Sequence, residues 1–366
     1  MGGDLGMEAT RSPSAEKKSP SPVQVAGSDG GTESLGFGHD EGYADSSVES
    51  IEVEVWDHDS SYGDELQSMT TSLSSTAYHF VEEHGRTYHS YRQGRYKLPN
   101  DEIEADRLDI HHALVLAIMH GELNLAPIAG DIESAIDLGT GTGIWAMDFA
   151  DAHPNTDLKA NDLTPVQQHM VPPKLEFIVD DIEDEWLYEH TPFDYVHGRF
   201  LAGAILNWPR LIQQAYTCTK PLGWVEFQEW DTRIYSADGT LHPSHSLQTF
   251  HNITSDAHEK RGFDMSPGKK LQGWLRDAGF INIVAKRYVV PLGMWAKDKH
   301  YKTIGAYNFL QMKQAFEGIA LGTLTQDGWT VEECQILAAK TLTDAKDPKI
   351  HSQYDFYVVY GQKPAG

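Results

Sequence analysis

Cysteine is nearly absent: Cys218 and Cys334 are the two in 366 residues, too few and too scattered for a disulfide framework or a thiolate zinc cluster. The chain must therefore hold together through a packed core, which its length and 40% hydrophobic content permit. Long apolar runs are missing as well. The longest, Ala113 to Met119, falls well short of the ~20 residues that a membrane-crossing helix needs. The opening MGGDLG has neither the basic nor the apolar stretch of a secretion signal, and Gly6 stands where a myristoylation motif wants Ser or Thr. The expectation is an intracellular protein, cytoplasmic or nuclear, with no membrane partner. Positive charge is scarce too, with 29 Lys and Arg against 54 Asp and Glu and a net charge of −25. Proteins that track phosphates need a basic patch to release counterions, so direct nucleic-acid binding is not expected.

Much of the acidic excess is local. The first seventy residues carry fifteen Asp or Glu against Arg11, Lys17 and Lys18. Residues 1–72 are rich in Ser, Gly, Pro and acids and lack apolar periodicity apart from Ile51, Val53 and Val55. They cannot bury enough surface to offset chain entropy, so this segment reads as a disordered tail. Ser12-Pro13 and Ser19-Pro20 leave open whether it solvates, docks or is phosphorylated.

Residues 73–130 read as a helical lid region. A helix over Ser74–Arg86 is followed by the aromatic and basic stretch GRTYHSYRQGRYKLP. A second helix follows Pro99-Asn100, with Asn100 as its cap, Asp101 and Glu102 at its positive end and Gly121 as its stop. From 131 to 366 strands and helices alternate, the pattern of a parallel sheet covered on both faces. Strands are expected at Ser134–Leu138, Leu158–Asn161, Leu175–Val179, Phe193–His197, Trp224–Gln228, Ile281–Val290 and Tyr354–Tyr360. A helical insertion at about 293–330, centred on Lys297 to Gly322, and a helix from Thr330 to Asp344 precede the last strand. That order suits an α/β, mostly parallel seven-stranded sheet whose last strand returns antiparallel.

The most informative segment is AIDLGTGTGIWAMDFA, from Ala135 to Ala150. Its strand ends on Asp137, and Gly139, Gly141 and Gly143 then make a turn without side chains, so a ligand can approach the backbone. Two ligand classes use such a turn. A dinucleotide fingerprint can be laid on Gly141, Gly143 and Ala146, with Asp162 nineteen residues past Gly143 as the ribose-binding acid. S-adenosylmethionine instead carries a zwitterion beside a sulfonium and no pyrophosphate, which explains an acid just before the glycines. Asp137 then faces the α-amino group, Asp162 takes both ribose hydroxyls, and Asp181 with Ile182 holds the adenine. Three acids at three successive strand tips match one ligand laid across the sheet at its switch point.

The chain resembles the class I, Rossmann-like methyltransferases, and more narrowly the fungal LaeA-like methyltransferases. The resemblance covers roughly residues 78–363. It rests on GRTYHSYRQGRYKLPNDEIEADRLDIHH, AIDLGTGTGIWAMDFA, NDLTPVQ, FIVDDIEDEW, FDYVHGRFLAGAILNWP, KPLGWVEFQEWD and YDFYVVYGQKP. It implies that Asp137, Gly139, Gly141 and Gly143 hold the methionyl part, Asp162 and Leu163 the ribose, and Asp181 and Ile182 the adenine. Leu222 in KPLG departs from the usual KPGG, which puts the geometry of that turn in question. The implied activity is methyl transfer to a small-molecule oxygen, nitrogen or carboxylate, with S-adenosyl-L-homocysteine as product. The alternative is a regulator that binds the cofactor and acts through a protein partner.

Methyl transfer is an in-line displacement that positioning alone can catalyse, and a base is needed only where the acceptor must lose a proton. His197, at the tip of the fourth core strand, is the first candidate base and His89 the second. Arg199 suits an anionic acceptor; Tyr88, Tyr91, Trp230 and Trp145 suit an aromatic one or the sulfonium. No metal site is expected: His242 and His245 lack further ligands nearby, and adjacent His111 and His112 point apart on a helix.

Overall fold

The structure is a computed structural model that describes residues 80–89, 98–165 and 170–366. The acidic tail expected over 1–72 and Tyr91 lie outside the described residues. Two short strands open the described part, β1 (Phe80–Glu83) and β2 (Arg86–His89), paired antiparallel. A helix was expected over Ser74–Arg86, of which residues 80–86 are described. The correction has a local cause: His84 and Gly85 both take positive φ, 53° and 74°, the conformation of a two-residue hairpin turn.

Helix α1 (Glu102–Ile118) follows, and Asp101 rather than Asn100 caps it, its side chain accepting from the Glu104 amide. Gly121 closes it as expected, its N–H donating to the Leu116 carbonyl. The core elements then run β3 (Ser134–Leu138), α2 (Ile144–Ala152), β4 (Asp157–Asp162), β5 (Leu175–Val179), β6 (Phe193–Arg199), α3 (Trp208–Thr217) and β7 (Thr219–Tyr235). After β7 come α4 (Ser246–Lys260), α5 (Gly268–Ala278), β8 (Ile281–Pro291), α6 (Lys299–Leu324), α7 (Val331–Lys346) and β9 (Gln353–Gln362). Among the described residues no helix is long and apolar enough to cross a membrane.

The seven core strands form one sheet in the order β5-β4-β3-β6-β7-β9-β8. Neighbours pair in parallel except at β9, which runs antiparallel to both β7 and β8. The chain winds outward from β3 in one direction and from β6 in the other, so the order reverses between them. At such a point the connections leave a crevice at the carboxyl ends of the strands. The turn containing the three glycines opens into that crevice.

One face of the sheet is covered by α2, where Trp145, Phe149 and Ala146 pack on Ala135, Leu158 and Tyr195. The other face is covered by α3 and α5, through Leu211, Ile212, Leu271 and Leu275. Helices α1, α4, α6 and α7 form a separate helical layer, with Leu114, Phe250, Phe316 and Cys334 in one cluster with Trp230 and Phe356 of the sheet. Helix α4 was not foreseen. Its sequence, SLQTFHNITSDAHEK, is full of Ser, Thr, Asn and His, and its N-cap makes no side-chain bond. Burial of Leu247, Phe250 and Ala257 overrides that weak local preference. Helix α7, by contrast, starts on a complete capping box of Thr330 and Glu333.

Within β7, Leu222 occupies the place of the missing glycine and takes φ 66°. The Leu222 amide donates to the Lys363 carbonyl at 3.0 Å. Gly223, the glycine retained, has no room for a Cβ, which would lie 2.9 Å from the Asp194 carbonyl oxygen.

Candidate active site

Strand β3, in the interior of the sheet, carries Asp137 near its carboxyl end as a buried carboxylate. One oxygen accepts from the Thr140 hydroxyl at 2.6 Å and the other meets His197 Nδ1 at 2.7 Å. Gly139, Gly141 and Gly143 follow with φ of 65°, 61° and 80°, conformations that side chains disfavour. A Cβ on Gly139 would lie 2.7 Å from Leu201, and one on Gly141 3.3 Å from Leu108 of α1. The turn is lashed to the tip of β4. Thr140 donates its amide to the Asn161 carbonyl at 2.9 Å, Gly139 to the Asn161 side chain at 3.3 Å, and Gly141 to Asp162 Oδ2 at 2.9 Å.

Asp162 therefore sits beneath the glycine turn, its other oxygen accepting from the Thr164 amide at 2.9 Å. Burial, the largest influence, outweighs these bonds and pushes its carboxyl up to about 6. Leu163 follows at the tip. Just past β5, the next strand out, Asp180 donates its amide to the Asp162 carbonyl. Just beyond, Asp181 is buried and accepts from the Glu183 amide at 2.9 Å, while Ile182 packs into the core. Three acids thus stand at the ends of three adjacent strands. Asn161, which carries two bonds to the turn, was not singled out from the sequence; its position before Asp162 was the available signal.

Other candidates are placed differently. His197 is fully buried, its ring stacked on Trp145 with centroids 3.7 Å apart and planes 6° from parallel. Burial, its dominant influence, lowers its pKa. The expected general base is thus sealed from any acceptor, and its bond to Asp137 makes it a brace for that carboxylate. Trp145 is likewise core rather than a substrate wall. Arg199 donates through Nη2 to His112 Nδ1 at 3.0 Å, leaving His112 Nε2 to donate to Asp148 at 2.9 Å. Burial and the Arg199 charge push His112 down to about 4. Arg199, read from sequence as an anion clamp, is a strut joining β6 to α1 and α2. Tyr88 and His89 sit on the hairpin strand β2, which is tied to α1 by the Arg86–Asp101 ion pair and lies against α6 at Gly318.

Trp230 faces a cavity of about 120 Å³ at the carboxyl end of β7, and its indole N–H donates to His111 Nε2 at 2.8 Å. The loop after β6, Phe200 to Gly203, forms the wall between this cavity and the glycine turn, with Leu201 lying against Gly139. Buried Glu229 holds that loop by accepting from the Leu201 and Ala202 amides at 2.6 and 3.2 Å. Helices α4 and α6 and Tyr354 of β9 supply the remaining walls. Trp230 was singled out from the sequence; the residues of α4, α6 and β9 were not, because elements distant in the chain bring them to it.

The donor set decides between the two ligand classes. A pyrophosphate against the turn would face buried Asp137 with no cation on the turn to offset it, whereas a sulfonium and an ammonium are attracted by the same carboxylate. The bare glycine backbone and the Asp162 carboxyl beneath it fit a methionyl group and a ribose. Sheet order, antiparallel β9 and the acid-glycine turn define a class I S-adenosylmethionine-dependent methyltransferase. The chain belongs to the fungal LaeA-like family of that class. Residues 110–284 match the methyltransferase domain family. The chain is 39% identical over 302 residues to "Methyltransferase pytC" of Aspergillus terreus, covering 82% of this chain and 93% of the relative. It is 34% identical over 249 residues to "Secondary metabolism regulator LAE1" of Cochliobolus heterostrophus, covering 67% and 81%. It is 30% identical over 298 residues to "Secondary metabolism regulator laeA" of Aspergillus fumigatus, covering 81% and 80%.

Proposed function

We propose that this enzyme methylates a small-molecule oxygen, nitrogen or carboxylate in fungal secondary metabolism. The observation that carries the reading is the cavity beside Trp230, lined by Phe200, Ala202 and Gly203 of the loop whose Leu201 lies against Gly139. Asp137 and the three glycines would hold the methionyl part of S-adenosylmethionine, Asp162 and Leu163 the ribose, and Asp181 with Ile182 the adenine. When bound, that group supplies an electrophilic methyl on a positively charged sulfur. The chain's own contribution is then positioning: the β6 loop sets the acceptor's approach, and Glu229 fixes the loop. Helix α1 acts as a lid over the turn, with Leu108 against Gly141 and Asp109 accepting from the Thr142 hydroxyl at 2.8 Å. No base is assigned, because His197 is enclosed.

Two relatives bear the name of secondary metabolism regulators, which favours a second reading, action through a protein partner. One experiment separates the two. The purified chain is incubated with methyl-labelled S-adenosylmethionine and an extract of host metabolites. Label in a small molecule supports the proposal. Label confined to protein, with a stable partner recovered by pull-down, supports the regulatory reading instead.

A further inference from the structure

The cavity walls are chemically uneven. Phe200, Trp230, Phe250, Met265, Met312 and Ala315 make most of the lining apolar. Its charged lining residue, Arg107, is already neutralised: Glu104 accepts from it at 2.9 and 2.6 Å and Gln311 at 3.0 Å. Gln311 in turn donates to Asn308, and Asn308 to the Pro291 carbonyl, at 2.9 and 2.8 Å. Thr232 donates to the Met265 carbonyl and lies 3.0 Å from Ser255.

One polar pair is arranged differently. Tyr354 Oη lies 2.7 Å from His251 Nε2, and both residues line the cavity. The backbone of Thr232 bonds the same imidazole in a way that favours a proton on the ring. With Nε2 facing the Tyr354 hydroxyl at 2.7 Å, the tautomer assigned on that basis carries its proton on Nδ1, and the Nε2 lone pair receives the Tyr354 hydroxyl proton. The phenol oxygen is then a committed donor to His251 whose lone pairs remain as acceptors.

Resting on the acceptor-cavity reading above, we propose that the cavity takes an uncharged, largely apolar small molecule bearing a hydroxyl, which donates to the Tyr354 oxygen. Among the described residues that line the cavity no cation is left unneutralised, so an anionic acceptor, which would be desolvated there, is disfavoured. Tyr354 and His251 are thereby specificity-determining residues, with His251 acting through the orientation that it imposes on the phenol.

The test uses three probes of one shape, titrated by calorimetry into the full chain saturated with S-adenosylhomocysteine: 1-naphthol, 1-methoxynaphthalene and 1-naphthoate. The expected result is 1-naphthol binding about tenfold more tightly than either of the others. Tyr354→Phe removes the advantage over 1-methoxynaphthalene. His251→Phe frees the phenol proton, so the preference shifts toward 1-methoxynaphthalene. Equal or tighter binding of 1-naphthoate, an unchanged preference in both variants, or no probe binding at all would each overturn the proposal. Binding of S-adenosylhomocysteine is measured separately. Its failure would sink the cofactor assignment, while the probe titrations, repeated without it, would still judge the cavity.

Discussion

His197 and Asp137 stand directly opposite each other in the parallel β3–β6 ladder, and their side chains bond across it at 2.7 Å. The pairing ties the acid that begins the glycine turn to the strand that carries the loop before the cavity. Through Trp145, stacked on the His197 ring, it also ties both strands to α2.

His197→Phe keeps the stacked ring and deletes the bond. Loss of a hydrogen bond to a charged group costs about 1.5–3 kcal/mol, so urea unfolding should show a stability loss of that order and calorimetry a weaker affinity for S-adenosylhomocysteine. Unchanged stability and affinity with abolished turnover would restore His197 as a catalytic base.

Asp162 gives the site a pH signature. Its carboxyl is pushed up to about 6, and the ionised form is the better acceptor for ribose hydroxyls. Affinity for S-adenosylhomocysteine should therefore rise as pH increases from 5 to 7, and Asp162→Asn should flatten the profile. A pH-independent wild-type affinity would count against the ribose assignment.

Leu222 offers a stabilising change. Its φ of 66° lies in the left-handed region, and its side chain is exposed, so no packing compensates. A non-glycine residue there costs roughly 1–2 kcal/mol, offset in part by glycine's larger unfolded-state entropy. Leu222→Gly, which restores the KPGG turn, should raise the urea midpoint; a lower midpoint would show that the turn is unstrained.

Buried acids also set the stability profile. Burial raises Glu226 to about 7 and Glu229 to about 8, whereas both ionise near 4.5 when unfolded. The folded state thus holds extra protons between those values, and the stability present below about 4.5 is lost as pH rises toward 8. Above the range in which the buried histidines titrate, unfolding free energy should fall from about pH 7 to pH 8, and Glu229→Gln should lessen that slope. An equal slope in the variant would contradict the burial assigned to Glu229.

The parts legible in the sequence were those written locally. Strands β3 and β5 fall at Ser134–Leu138 and Leu175–Val179, as their apolar runs bounded by turns dictate. The glycine turn and its flanking acids were visible for the same reason. The cavity as a whole was not: Trp230 stood out as an aromatic candidate, but His251, Gln311 and Tyr354 come from α4, α6 and β9 and share no spacing with it. His197 shows the limit most sharply: a histidine at a strand tip suits both catalysis and bracing, and its burial against Trp145 separates them.

The most direct test of the central claim is a calorimetric titration of S-adenosylhomocysteine into the full-length chain and into Asp162→Ala. Saturable binding to the wild type and a loss of ten- to a hundred-fold in the variant, about 1.5–3 kcal/mol, is the expected result. No binding at millimolar concentration, or equal affinity in both proteins, would contradict it.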